Sequence, residues 1–327
     1  MSFNQVFKNS NPDIKGLGGA SSVAFISNNK VVVTGYYDGA LTIFSPNKTG
    51  YQYSQMISDG LSYKSSFDSE LADEKLDILG LLGAWEVVAT NNNKQLLVAS
   101  YISNAVSIFD IASDDKIVFN HSIKNGMYTD LGLGRPAGLA LSPSNNELYV
   151  LGFEGDQLTI FARDKIGTFV AKQVLKNGVD GVQQFVNPQK IIVSSSGKYL
   201  YVACSGSHSI VVFNKTEEGQ YTFLQAMTRS YISGLGLNGE GLNGASSLAM
   251  SLDGLTLYAA GETGIGLTSL EVLVDGRLQI KNQFSNKMNI TEELTEISSI
   301  TLSGGGRHLL VTTAKSDSLI VFEIIAD

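Results

Sequence analysis

Cysteine is almost absent: Cys204 stands alone among 327 residues, which excludes an internal disulfide framework and any zinc site built from several thiolates. Proline is scarce as well, at five residues against 34 glycines. That balance suits tight turns between short strands and excludes a proline-rich linker. No cluster of Lys and Arg occurs, and the formal net charge is −8, so no nucleic-acid surface is expected. No window reaches 18 consecutive apolar residues, and Met1 to Lys8 lacks a basic segment followed by an apolar run. No membrane span and no ordinary signal peptide are therefore expected. The localisation that follows is cytoplasmic, with export by a leaderless route or excision from a larger surface protein as alternatives. What is present is apolar material for a large core, at 43% hydrophobic and 17% charged residues.

One pattern recurs six times: a small-residue entry, an apolar pair, a polar turn, an apolar run, a second turn and a run ending in an aromatic or Leu. The third repeat reads Leu139-Ala140-Leu141-Ser142, a turn at 143–146, Leu148-Tyr149-Val150-Leu151, a turn at 154–156, then Leu158-Thr159-Ile160-Phe161. The equivalent first apolar anchors are Val23, Val87, Leu139, Ile191, Leu248 and Ile300, spaced by 64, 52, 52, 57 and 52 residues. The end anchors Phe44, Phe109, Phe161, Phe213, Leu270 and Phe322 each follow 21 or 22 residues later. A further alternating segment comes after the third run, at 51–56, 117–122, 169–175, 221–227 and 278–284. Four short antiparallel strands in a unit of this length, A to D, make one propeller blade.

The sixth repeat reaches Asp327 without a strand D, while Gln5-Val6-Phe7-Lys8-Asn9 nearly repeats Gln173-Val174-Leu175-Lys176-Asn177. Both glutamines lie 18 residues before the next first anchor, so Phe3 to Lys8 is in strand D register. Pairing that segment with the C-terminal blade would remove an open sheet edge. The expectation is an all-β, six-bladed propeller over 1–327. Its blades fall at about 19–60, 83–126, 134–178, 186–230, 243–287 and 296–327 with 2–10. The recurrent aromatics are expected to pack between blades.

The strings Gly244-Ala245-Ser246-Ser247-Leu248-Ala249-Met250-Ser251-Leu252-Asp253-Gly254 and Lys198-Tyr199-Leu200-Tyr201-Val202-Ala203 resemble the repeats of bacterial YVTN or lactonase-like β-propellers. The likeness extends over all six repeats. It implies a blade architecture, in a group whose members act as lactonases, surface proteins and interaction scaffolds. The lactonases of that group look seven-bladed and use histidine and basic residues in a central site. This sequence has six repeats and three histidines, with His121 in a strand D, His308 in an A to B turn and His208 in a B to C turn.

Binding positions in a propeller gather where the D to A and B to C connections share a face. Two insertions point there: one within 61–82, where 68–76 has a short-helix pattern, and a glycine-rich one at 234–244. Four residues before the first anchors the sequence reads Gly19, Gly83, Arg135, Asn187, Gly244 and Glu296. One residue before them it reads Ser22, Glu86, Gly138, Lys190, Ser247 and Ser299. Glu86, Arg135, Asn187, Lys190 and Glu296, with Trp85 and Gln189 beside them, break the small-residue pattern and are the candidate ligand residues. His208 belongs with them, although Asn104, Asp156, His208 and Asp317 also recur five residues before the end anchors, where side chains cap turns.

No cofactor is expected. Glu86, Asn187 and Glu296 offer oxygen ligands to Ca²⁺ or another divalent cation, as in gluconolactonase-type propellers, but Arg135 and Lys190 would repel it. The run 239–244 lacks the context of a phosphate loop. No nucleophile, base and orienter set stands out, so the reading is a binding module whose loop face engages a protein, peptide or glycan. The alternative is a lactonase-like or metal-assisted hydrolase, with Glu86 or Glu296 as base or ligand and Arg135 stabilising an oxyanion.

Overall fold

The computed structural model describes residues 5–63, 77–114, 116–124, 132–237, 239–284, 294–313 and 318–324. The helix expected at 68–76, Asp317 and residues 1–4 of the closing segment lie outside them. The first sheet runs β1 (Ala20–Phe25), β2 (Val31–Gly35), β3 (Ala40–Asn47) and β4 (Gly50–Ser58). The second runs β5 (Ala84–Ala89), β6 (Gln95–Ser100), β7 (Ala105–Ile111) and β8 (Ile117–Lys124). The third comprises β9 (Pro136–Leu141), β10 (Glu147–Gly152), β11 (Gln157–Arg163) and β12 (Phe169–Lys176). The fourth comprises β13 (Pro188–Val193), β14 (Tyr199–Cys204), β15 (Ser209–Lys215) and β16 (Tyr221–Thr228). In the fifth are β17 (Ala245–Met250), β18 (Thr256–Gly261), β19 (Leu267–Val272) and β20 (Leu278–Phe284). The sixth has three described strands, β21 (Ile297–Leu302), β22 (His308–Thr313) and β23 (Ser318–Glu323). In every sheet neighbours in sequence are neighbours in space, and the fold is a six-bladed β-propeller.

Turn chemistry explains the repetition. In five of the six blades the first turn is closed by a hydroxyl that accepts the amide five residues on: Thr90 from Gln95, Ser142 from Glu147, Ser194 from Tyr199, Ser251 from Thr256 and Ser303 from His308; the first blade has Ile26 there. Just before the 234–244 insertion a short helix α1 (Arg229–Gly234) is capped by Thr228, whose hydroxyl accepts from Tyr231 N–H at 3.0 Å.

The chain divides into two compact units, residues 1–150 with 160–171, and residues 151–159 with 172–327. In the first, two apolar layers form between successive sheets. One holds Leu41, Ala84, Val98 and Phe109, and the other Ala99, Ile108, Leu139 and Phe161. In the second, Tyr201, Val212, Leu248 and Leu270 make one layer, and Ala260, Leu267, Ile300 and Val311 another. Phe109, Leu139, Phe161, Leu248, Leu270 and Ile300 therefore pack between blades, as expected, whereas the first anchor Val23 is 60% exposed and is not a core residue.

Residues 5–9, expected to complete the sixth blade, form no strand among the described residues, but their side chains make bonds seen at outer strands elsewhere. Gln5 Nε2 donates to Tyr51 O at 2.6 Å and Gln5 Oε1 accepts Tyr51 N–H at 2.9 Å. Gln173 in β12 does the same to Tyr221, at 2.7 and 2.8 Å. Gln225 in β16 does it to Leu278, at 3.0 and 2.7 Å. The likeness extends to Asn9 and Asn177, whose Oδ1 atoms accept from Leu17 and Phe185. Phe7 stacks on Phe44 with centroids 4.5 Å apart.

Among the described residues no helix is long and apolar enough to cross a membrane.

Candidate functional site

Three features recur at the starts of the inner strands, the first in all six blades, the second in five and the third in three. The residue four before the first anchor is left-handed in all six blades: Gly19, Gly83, Arg135, Asn187, Gly244 and Glu296 have φ between 49° and 68°. Glycine takes that conformation without cost, whereas Arg and Glu cost about 1–2 kcal/mol there. A non-glycine at such a position is held by its surroundings and is a functional-site signal.

The second feature is an inner-strand bulge. Register shifts fall between Ala20 and Ser22, Ala84 and Glu86, Pro188 and Lys190, Ala245 and Ser247, and Ile297 and Ser299. The extra residues are Ser21, Trp85, Gln189, Ser246 and Ser298. A bulge re-aims the side chain it carries, which is why Trp85 and Gln189 escape the pattern of their strands.

The third is a bond between successive inner strands. Ser22 Oγ accepts Val87 N–H at 3.4 Å, Glu86 Oε2 accepts Leu139 N–H at 2.8 Å, and Ser247 Oγ accepts Ile300 N–H at 2.9 Å. Glu86 is only 6% exposed, and its carboxylate does the linking work of a serine. That places Glu86 as a positioning group in this structure, and no step is assigned to it as a base or metal ligand.

The turn residues form a parallel set. Asn104 Oδ1 accepts Arg135 N–H at 2.9 Å, Asp156 Oδ1 accepts Asn187 N–H at 2.8 Å, and His208 Nδ1 accepts Gly244 N–H at 2.9 Å. Each side chain caps the left-handed residue of the following blade. The bond at Nδ1 assigns the His208 ring proton to Nε2.

In the second unit, Asn187 also donates from Nδ2 to Phe153 O at 3.0 Å. Gln189 Nε2 donates to Ser205 Oγ at 2.8 Å and to Glu262 Oε1 at 3.1 Å. Lys190 is half-buried opposite Ala203, and Glu296 is exposed, with its N–H donating to Gly264 O at 3.3 Å. Among the described residues no group of three or more His, Cys, Asp and Glu side chains is arranged to hold a metal ion. Cys204 is fully buried and burial pushes its thiol well up, which makes it unreactive.

The first unit gathers aromatic rings around Trp85 and Arg135. Tyr36 stands edge-on to Trp85 at 5.4 Å and to Tyr37 at 5.4 Å. Tyr63 lies 5.9 Å from Tyr36 and 5.6 Å from Tyr37, and Tyr101 lies 6.4 Å from Trp85. The Arg135 guanidinium sits 5.7 Å from the Tyr101 ring centroid and donates from Nη1 to Tyr101 O at 3.3 Å and Ile102 O at 3.0 Å. Burial, then the Tyr63 and Tyr37 phenols, push the Tyr36 hydroxyl above its ordinary value, and the Arg135 charge acts the other way. Tyr36 therefore stays a protonated donor at neutral pH. Tyr37 is 55% and Trp85 38% exposed, so the group opens to solvent.

Backbone bonds pin this group. Tyr36 N–H donates to Gly19 O, Tyr37 N–H to Gly18 O, Tyr63 N–H to Tyr37 O and Tyr101 N–H to Gly83 O. A Cβ on Gly19 would lie 2.6 Å from the Tyr37 ring, so the ring rests directly on glycine. Of these groups the departures from the repeat identify Trp85 and Arg135 but not the tyrosines. A signal was present one step away: the residue after the second strand reads Tyr36, Tyr101, Phe153, Ser205 and Glu262, aromatic in the first three blades and polar in the next two.

Residues 130–234 match the family model described as Lactonase, 7-bladed beta-propeller. No curated protein matches the sequence. Among solved structures, a Bacteroides uniformis protein provisionally called a 6-phosphogluconolactonase is 15% identical, with TM-score 0.69, 93% of this chain and 80% of that chain covered. The Pseudomonas aeruginosa periplasmic gluconolactonase is 17% identical, with TM-score 0.64 and coverage of 93% and 81%. A virginiamycin B lyase from Staphylococcus aureus is 12% identical, with TM-score 0.56 and coverage of 96% and 86%. At these identities the likeness is one of fold. Residues 130–234 thus carry a repeat similar to that of the lactonase model, in a fold of six sheets where the family description names seven blades.

Proposed function

We propose that the protein is a lactonase-like enzyme that opens a cyclic ester, with Arg135 as the cation that polarises the ester carbonyl. The observation that carries this reading is Arg135 itself. It lies inside the segment that matches the lactonase model, at a left-handed position that three other blades fill with glycine. Its main chain is held by Asn104 and its guanidinium by two carbonyls. A charged donor fixed in that way stabilises negative charge without reorganising during the reaction.

In the reaction, water oxygen adds to the ester carbonyl carbon, and charge develops on the carbonyl oxygen opposite the guanidinium. The ring C–O bond then breaks. The departing alkoxide takes the proton lost by the attacking water, and a hydroxy acid is released. Tyr36, a protonated phenol that feels the Arg135 charge and packs on Trp85, is the second donor in this reading. Two of the similar folds bear the names of sugar-acid lactonases, which supports a polyhydroxylated lactone as the first substrate to test. Acid release from sugar-derived and simple aliphatic lactones, followed at constant pH, is expected to exceed the spontaneous rate for at least one sugar-derived lactone. A rate equal to the spontaneous one across both groups would reject the assignment.

A further inference from the structure

The aromatic group of the first unit exceeds what polarising one carbonyl requires. Tyr36, Tyr37, Tyr63, Trp85 and Tyr101 form a continuous run, with ring centroids 5.4 to 6.4 Å apart along it. The steps are on the scale of one pyranose unit. The rings come from two blades and the connection between them, on main chain pinned at Gly18, Gly19 and Gly83. Trp85 reaches the run because a bulge turns it out of its strand, and Tyr37 because Gly19 has no side chain. Independent backbone devices thus bring these rings together where solvent can reach them.

We propose that this surface is a carbohydrate-binding platform for a neutral oligosaccharide. The inference stands on the aromatic geometry and does not depend on ester hydrolysis. One face of a pyranose presents C–H bonds that lie against an aromatic ring, while its hydroxyls project around the rim. Every ring here ends in a polar tip, four phenol hydroxyls and one indole N–H. At the two exposed rings, Tyr37 and Trp85, a sugar's hydroxyls can pair with the phenol and the indole N–H, whereas an aliphatic peptide side chain offers them no polar partner. The steep interplanar angles, 87° for Tyr36 with Trp85 and 84° for Tyr36 with Tyr37, make walls and a floor instead of one flat face. Arg135 sets a positive charge against the Tyr101 ring at one end of the run. A nucleic-acid base would also stack, but the chain's net charge of −8 opposes a phosphate backbone.

Trp85 is the only tryptophan in the sequence, so indole emission reports this surface directly. The purified protein is titrated with soluble glucose-, mannose- and N-acetylglucosamine-based oligosaccharides, and separately with an aromatic-rich peptide. The expected result is a saturable change in Trp85 emission with at least one oligosaccharide. The dissociation constant should rise at least tenfold in Tyr37→Ala and less than threefold in Tyr37→Phe, with melting temperatures that show both variants folded. No saturable response to any oligosaccharide, a response to the peptide alone, or equal affinity in Tyr37→Ala would overturn the proposal. Lactone turnover is read separately, so loss of one activity leaves the other measurable.

Discussion

Gln5 grips the backbone of Tyr51 through both ends of its side-chain amide, and Gln173 grips Tyr221 in the same way. In Gln173 the clasp belongs to an outer strand whose next neighbour is the following blade. Gln5 performs it from a segment that forms no ladder of its own among the described residues. The pair shows that strand D identity is written in side chains as well as in sheet pairing.

Gln5→Ala and Gln173→Ala should each lower stability by about 1–2 kcal/mol, the net value of two hydrogen bonds. Denaturant midpoints measured by intrinsic fluorescence check this. An unaffected Gln5→Ala protein would show that the clasp at the N-terminal segment contributes nothing.

Glu86 is expected to act structurally. Glu86→Ala leaves the buried Leu139 amide without its acceptor and should cost about 1–3 kcal/mol, whereas Glu86→Gln retains an acceptor and should cost less. Equal losses in the two variants would contradict the inter-strand role.

Gly19 supports Tyr37. Gly19→Ala must accept both a left-handed φ of 64° and a Cβ 2.6 Å from the ring, and should destabilise by about 1–3 kcal/mol. Gly178 has φ 78° with nothing within 4 Å of an added Cβ, so Gly178→Ala isolates the conformational part, about 1 kcal/mol. The difference between the two measures the contact. No difference would mean that Tyr37 does not rest on Gly19.

The six blades and most of their anchors were legible because each depends on local chemistry repeated at fixed spacing, whereas Asn104, Asp156 and His208, expected to cap their own turns, hold the amide of the following blade. Leu139, Phe161 and Ser142 can be read without knowing what they touch. Trp85 and Arg135 were legible as departures from the repeat. The tyrosines were not, because Tyr36 and Tyr101 are significant only once bulges and left-handed turns from different blades bring them within ring contact. Glu86 stood out in sequence as a candidate ligand residue because it breaks the small-residue pattern. Its place beside the next inner strand, which no spacing reveals, gives it a serine's task.

Asp59 ties the edge of the 61–82 insertion and titrates in the opposite sense to an ordinary ion-paired acid. Burial raises its carboxyl above the usual range, with the Asp77 charge adding to this. The Leu79 amide at 2.9 Å and Lys124, itself 3.0 Å from Asp77, act against it. The folded state therefore favours the proton. Asp59 contributes stability below its unfolded value that is lost as pH rises through the folded value. Asp59→Asn should raise the melting temperature at pH 7 to 8 relative to wild type, with the gain vanishing toward pH 4. A gain independent of pH would contradict this linkage.

The central claim is that Arg135 is kept in a glycine position for its charge. Lactone hydrolysis by wild type, Arg135→Lys and Arg135→Gly, with melting temperatures recorded on the same samples, tests it most directly. Glycine relieves the left-handed backbone and should keep the melting temperature while lowering kcat by about 100-fold or more, as loss of an oxyanion donor does. Lysine, a point charge without the planar fork, should fall between the two. Turnover in Arg135→Gly equal to that of wild type would contradict the account.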